Sequence, residues 1–270
     1  MDNVSNFVEL NKSNKIWAIG SIHSNLKSFS SIEEFILNNF ELNDKLIFLG
    51  NIIGLGDNPK ETLSSVIDLR FNLMSKFKLK PESIVFLRGA QEEMFSKLLQ
   101  LQLAPNPSEI VEWMFDHGVN KTIKSYGFTE DEIRNIASSG TINISKWTSS
   151  LNRTLQNNPG HTEYFLNLKH AAYSQTKKIL FVNRGVDITR PLSAQNDCFW
   201  WGFQNFSTIK KPYKTFLRIV RGYESEHLVH SEISKNNVVC TLFKQPLSNK
   251  NILFGIFAEN GEILDLFENN

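Results

Sequence analysis

Five times along this chain a short apolar run stops at a glycine, or at one or two polar residues and then a glycine. Ile16–Ile19 precedes Gly20, Leu46–Leu49 precedes Gly50, and Ile84–Leu87 precedes Arg88-Gly89. Ile179–Val182 precedes Asn183-Arg184-Gly185, and Leu217–Val220 precedes Arg221-Gly222. Runs of this length bounded by glycine are what buried strands need, and glycine suits a turn where positive φ or close backbone approach excludes other side chains. The residues that follow project from the carboxyl edge of a sheet, where α/β proteins place their chemistry. Helical periodicity fills the early gaps: Phe29, Ile32, Phe35 and Ile36 share one face of Ser28–Phe40, and Leu63, Val66, Ile67 and Leu73 one face of Pro59–Phe77. Such alternation predicts an α/β fold, two mixed β-sheets flanked by helices.

From about residue 91 to residue 176 the strand pattern gives way to helical spacing. Thr129-Glu130-Asp131-Glu132 is a Thr-x-x-Glu helix start, and Phe165, Leu168 and Ala172 are spaced as one helix face. This stretch is expected to be a helical cap inserted into a single domain over residues 14–268, with residues 1–13 a flexible N-terminal segment. Beyond it, Val238–Phe243, Leu253–Ala258 and Ile263–Phe267 alternate or run apolar, and Glu259-Asn260-Gly261 makes a good hairpin turn. That pattern predicts an antiparallel meander closing a second sheet.

With 270 residues, 41% of them hydrophobic, the chain can bury one large core. The 29 Lys and Arg against 28 Asp and Glu leave a net charge of +1, with the basic residues scattered, so no nucleic-acid partner is expected. The first ten residues lack the basic and apolar regions of a secretory signal, and no apolar run reaches the ~18 residues that span a bilayer. A cytoplasmic location without membrane insertion is expected. Cys198 and Cys240 are too few and too far apart for a disulfide framework and are expected to be buried thiols. No phosphate-binding P-loop, dinucleotide-binding or nucleophile-elbow motif occurs.

The loops after the five runs are Gly20-Ser21-Ile22-His23-Ser24, Gly50-Asn51-Ile52-Ile53-Gly54-Leu55-Gly56, Arg88-Gly89-Ala90-Gln91-Glu92, Asn183-Arg184-Gly185 and Arg221-Gly222-Tyr223-Glu224. In order and spacing they resemble the motifs GDxHG, GDxxDRG, GNHE, HAG and GH of the calcineurin-like metallophosphoesterases, in particular the bacterial serine/threonine phosphatase and diadenosine tetraphosphatase branch. The resemblance runs from about Asn14 to Leu266 and includes Ser125-Tyr126-Gly127 and Asp187-Ile188-Thr189-Arg190-Pro191-Leu192. It implies an inserted helical cap and a site at which two bridged cations would activate water against phosphorus.

Carried over position by position, the resemblance also implies that the site is degenerate. Ser21 stands where the first metal has its Asp, Asn51 replaces the bridging Asp, and Ala90 replaces the Asn. Asn183 and Tyr223 occupy the places of two His ligands, which leaves His23 of the six. Gln91 replaces the general-acid His, Gly54 its partnering Asp, and Leu55 the phosphate-clamping Arg, whereas Glu92 is retained. Neutral Ser and Asn do not supply the attraction that holds a divalent cation. The expectation is therefore a catalytically inactive pseudophosphatase with no metal and no cofactor, acting as a protein-interaction or structural subunit.

Two alternatives are a metal-free phosphate or nucleotide sensor and a residual phosphoesterase. His23, Arg88, Arg184 and Arg221 are the candidate anion-binding residues, since converging guanidinium groups suit phosphate. The competing expectation pairs these arginines with Glu92, Glu224 or Asp187. Trp200 and Trp201, within Cys198-Phe199-Trp200-Trp201-Gly202 and close to Phe203 and Phe206, either pack on the core or form a partner-binding hot spot. Glu226-His227-Leu228-Val229-His230 offers no third metal ligand, and Leu264–Glu268 is a candidate edge strand for a peptide to join.

Overall fold

Two five-stranded sheets face each other in the computed structural model, which describes residues 6–195, 197–202, 206–223, 236–243 and 251–268. In chain order the strands are β1 (Phe7–Leu10), β2 (Ile16–Ile19), β3 (Lys45–Phe48), β4 (Ile84–Phe86), β5 (Ala171–Ser174), β6 (Ile179–Val182), β7 (Arg218–Arg221), β8 (Val239–Thr241), β9 (Leu253–Phe257) and β10 (Ile263–Glu268). One sheet has the order β10-β9-β2-β3-β4 and the other β1-β5-β6-β7-β8. The helices are α1 (Leu26–Asn39), α2 (Pro59–Phe77), α3 (Ala90–Leu98), α4 (Pro107–Asp116), α5 (Val119–Ser125), α6 (Glu130–Ala137), α7 (Thr141–Gln156), α8 (His161–Asn167) and α9 (Cys198–Trp201). None of the described helices is long and apolar enough to cross a membrane.

The apolar runs are continuous because alternate side chains of one strand enter different cores. Ile16 and Ala18 of β2, Ile47 of β3, Val85 of β4, Phe181 of β6 and Val220 of β7 fill the space between the sheets. Trp17, Ile19, Phe48 and Phe86 point the other way, into a core shared with the helices. Leu180, Val182 and Ile219 meet Phe199, Trp200 and Phe206 on the outer face of the second sheet. Helix faces match these surfaces: Phe29, Ile32 and Ile36 of α1 are buried, as are Leu63, Val66, Ile67 and Leu73 of α2. Cys198 and Cys240 are buried free thiols.

Three expectations need correction. Residues 7–10 are not part of a flexible segment: β1 pairs in parallel with β5, and Leu10 has no exposed surface. The helical stretch ends with α8 at Asn167, and Ala171–Ser174 is a strand hydrogen-bonded between β1 and β6. Here pairing partners override the helix-like spacing of Phe165, Leu168 and Ala172. Val239–Thr241 is no part of a meander either, since β8 lies parallel to β7 in the second sheet. Only β9 and β10 form the antiparallel hairpin, around the turn in which the Gly261 N–H donates to the Ala258 carbonyl.

Two local devices set the loops that leave the sheet. Gly20 follows β2 where a Cβ would lie 2.0 Å from the Leu242 carbonyl oxygen, so any other residue would push the first loop off the β8 side. The second device is Glu92, in the first turn of α3 and without exposed surface. Its Oε2 accepts from the N–H of Asn51 at 2.8 Å and of Gly89 at 3.0 Å, and Oε1 accepts from Ile52 N–H at 2.8 Å and from the Tyr164 hydroxyl at 3.1 Å. Burial raises the carboxyl's pKa, and the backbone N–H groups counter that by favouring the charged form. Replacing one acceptor oxygen with an NH2 group leaves buried donors facing a donor. Glu92→Gln is expected to cost about 2–4 kcal/mol, on the scale of buried hydrogen bonds to a charged group, read as a lower urea midpoint with an unchanged slope.

Candidate functional site

The five loops meet at the carboxyl ends of β2, β3, β4, β6 and β7 and are knit together through their backbones. Ser21 N–H donates to the Gly222 carbonyl at 2.9 Å, His23 N–H to that of Asn51 at 2.8 Å, and Gly222 N–H to that of Asn183 at 2.9 Å. The side chains then close on one another. Asn51 Nδ2 donates to Ser21 Oγ at 3.2 Å, Asn51 Oδ1 accepts the Gln91 N–H at 3.0 Å, and Asn183 Nδ2 donates to the Leu49 carbonyl at 2.6 Å. Ser21, Asn51, Gln91 and Asn183 are all buried, and Ala90 at the start of α3 contributes only a methyl group.

His23 is brought to the same place with a backbone φ of 48°. Its ring is edge-on to Tyr223 at 5.2 Å and to Phe243 at 6.2 Å, and both ring nitrogens are buried without a hydrogen-bond partner. Burial pulls its pKa down to about 3, so the imidazole is neutral at physiological pH.

The positions to which the resemblance gives general-acid and phosphate-clamping chemistry fasten the cap. Gly54 has φ +86°, and a Cβ there would fall 2.1 Å from Gln91 Oε1, so the Gln91 side chain occupies the space a residue 54 side chain would need. Gln91 Nε2 donates to the His117 carbonyl at 2.8 Å, between α4 and α5. Leu55 packs so closely on Gly118 that a Cβ at Gly118 would lie 2.6 Å from Leu55 Cδ2. The six ligand positions thus present one imidazole and no carboxylate. Among the described residues no group of three or more His, Cys, Asp or Glu is placed to hold a cation. These side chains do not fit a dinuclear metal centre, which needs anionic bridging groups.

The candidate anion-binding residues are only partly brought together. Arg221 Nη1 donates to the Arg184 carbonyl at 3.5 Å, and the Arg184 guanidinium lies 5.5 Å over the Tyr223 ring, which adjoins His23. Arg221 Nε also donates to Thr241 Oγ1 at 2.8 Å, and its guanidinium stacks on Phe206 at 4.4 Å. Arg88 turns elsewhere, pairing with Glu93 at 2.6 Å over the Trp200 ring. The expected partners differ accordingly: Glu92 takes backbone N–H groups, Asp187 pairs with Arg190 at 3.0 Å, and Glu224 lies outside the described residues. Phe203 and residues 226–230 also lie outside them. Trp200 is 7% exposed and packs in the outer core, whereas Trp201 is half-buried and edge-on to Trp113 at 5.8 Å.

The neutral state of His23 generates a pH dependence. An unfolded histidine titrates near 6.5, so below that pH the unfolded chain takes up a proton that the folded chain refuses until about pH 3. The stabilisation is complete above pH 6.5 and shrinks by up to about 1.4 kcal/mol per pH unit as pH falls toward 3. His161, whose burial lowers its pKa to about 4, acts in the same direction. His23→Asn, which tolerates the positive φ, is expected to flatten the loss of stability between pH 6.5 and 5, measured from urea midpoints in matched buffers.

No family model matches the chain, and no curated protein matches it. Similarity is to solved structures. A protein assigned as a diadenosine tetraphosphatase is 13% identical, with 98% of this chain and 99% of that one covered and a TM-score of 0.54. A cold-active protein tyrosine phosphatase is 11% identical, with 96% and 80% covered and a TM-score of 0.51. A protein serine/threonine phosphatase from Saccharomyces cerevisiae is 15% identical, with 98% and 82% covered and a TM-score of 0.46. The paired mixed sheets with flanking helices are the calcineurin-like metallophosphoesterase fold.

Proposed function

We propose that this chain is a catalytically inactive pseudophosphatase that serves, in the cytoplasm, as a protein-interaction or structural subunit. The observation that carries this reading is the hydrogen bonding among the loops that would hold the metals. Asn51 bonds Ser21 and Gln91, and Asn183 Nδ2 bonds the Leu49 carbonyl, while the His23 nitrogens and Asn183 Oδ1 are buried without a partner among the described residues. With Ser and Asn in place of carboxylates, the loops need no dications to offset mutual repulsion. A fold that keeps its packing after losing its chemistry still offers surfaces to partners. The aromatic pair of Trp201 and the 44%-exposed Trp113 supports a protein partner, since tryptophan is enriched at binding hot spots.

A second reading rests on Arg184, which lies over Tyr223, and on Arg221, bonded to the Arg184 carbonyl; guanidinium groups suit a phosphorylated small molecule held without hydrolysis.

In excess manganese, the full chain is expected to release no product from an aryl phosphate above the buffer rate. Turnover that His23→Ala abolishes would overturn the assignment. Phosphate and nucleotides are expected to leave the melting temperature unchanged; stabilisation rising toward ~2.7 kcal/mol at a hundredfold excess over Kd would favour the second reading. Trp201→Ala is expected to release the partner from the natively purified complex while preserving the melting temperature. A wild-type chain that runs alone under native conditions would count against the subunit role.

A further inference from the structure

On the helical side of the first sheet a cleft of about 400 Å³ lies between α2, α8 and β4. Ile67, Arg70 and Phe71 line it from one face of α2, at the i, i+3, i+4 spacing that stacks side chains along a helix. Glu163 and Tyr164 line it from α8, and Phe86 from β4. Its volume falls within the range of small-molecule sites, roughly 300–1,000 Å³.

The walls are set before any ligand arrives. The Tyr164 ring is edge-on to Phe86 at 5.2 Å, and its hydroxyl is tied to Glu92 at 3.1 Å. The Arg70 guanidinium lies 5.6 Å over the Phe86 ring, and its one hydrogen bond among the described residues, from Nη2 to the Pro81 carbonyl, is 3.5 Å long. Among the described residues Arg70 makes no ion pair, and its Nε is buried without a partner. Glu163, exposed on the opposite wall, makes no ion pair there either. A cation and a carboxylate therefore share one cleft without neutralising each other, above an apolar floor and beside Phe71, which is 55% exposed.

We propose that this cleft binds a free α-amino acid with a large apolar side chain. The carboxylate meets the Arg70 guanidinium, a pairing suited to two parallel hydrogen bonds. The ammonium meets the Glu163 carboxylate, and the side chain lies among Phe71, Tyr164 and Ile67. Both charges of the ligand are required by the walls. A plain anion would face Glu163 and a plain cation would face Arg70, so either gains one contact and meets one repulsion. The proposal is independent of the reading of the five loops.

Calorimetric titration of the full chain with L-phenylalanine, 3-phenylpropionate and phenethylamine tests it. The amino acid is expected to bind, and each single-charge probe to bind at least about tenfold more weakly, a difference of about 1.4 kcal/mol. Glu163→Gln is expected to weaken L-phenylalanine about tenfold without weakening 3-phenylpropionate. Arg70→Gln should weaken both. Phe71→Ala, at an exposed position, should weaken all three probes while leaving the melting temperature in place. No heat from L-phenylalanine up to about 10 mM, equal binding of either single-charge probe, or undiminished binding by folded Glu163→Gln and Phe71→Ala proteins would overturn the proposal.

Discussion

A buried carboxylate under five converging backbone and phenolic donors is an arrangement in which each partner depends on the others. Glu92 belongs to α3, the N–H groups of Asn51, Ile52 and Ile53 to the loop after β3, that of Gly89 to the loop after β4, and the Tyr164 hydroxyl to the end of the cap. Without the carboxylate those donors would face an apolar interior, at a cost of about 1–3 kcal/mol each. With it, the two neighbouring loops are locked to each other and to the cap. The positive φ of Asn51 and the close approach of Gly89 to the Asn51 side chain follow from that grip. The geometry of the second and third loops is thus a property of the scaffold, with Glu92 at its centre.

The neighbouring positions serve the same end. Gln91 and Leu55 hold the His117–Gly118 corner of the cap, and Asn51, Ser21 and Asn183 hold the loops to one another. His23 is enclosed between Tyr223 and Phe243. Packing and neutral hydrogen bonds join these loops where, in the fold family the sequence resembles, cations would do so. Networks of this kind are favourable when their buried polar members are satisfied. The nitrogens of His23, the Oε1 of Gln91 and the Oδ1 of Asn183 are buried without partners among the described residues.

Much of the sandwich was legible because strands buried on both faces leave a dense apolar signature. β2, β3, β4 and β6 lie where Ile16–Ile19, Leu46–Leu49, Ile84–Leu87 and Ile179–Val182 placed them, within a residue. β1 was not legible, since in Phe7-Val8-Glu9-Leu10 only Leu10 is fully buried and the strand exists by virtue of β5. β5 was hidden by composition: beside Tyr173, Ala171, Ala172 and Ser174 carry no strong strand preference, and Ala172 continued the spacing of Phe165 and Leu168. The site divides in the same way. Motif order located Ser21, His23, Asn51, Ala90, Asn183 and Tyr223, and the structure brings their loops together. Sequence gave no sign of Phe243 beside His23 or of Glu93 as the partner of Arg88, because both contacts come from how separate elements turn toward each other.

The long-range pairings of the early strands carry a consequence for how the molecule comes into being. Ile16 of β2 is hydrogen-bonded across to β9 in register with Phe257, and Phe7 of β1 sits beside Ala171 of β5. Chain emerging from a ribosome can assemble β2, β3 and β4 with α1 and α2 early, yet the inner face of that sheet has nothing to cover it until β6, β7 and β8 follow. Strands synthesised first wait longest for neighbours, a high-contact-order topology that slows closure and prolongs the exposure of apolar surface. Nascent chains of this fold are therefore most vulnerable to self-association just before the last hairpin is made.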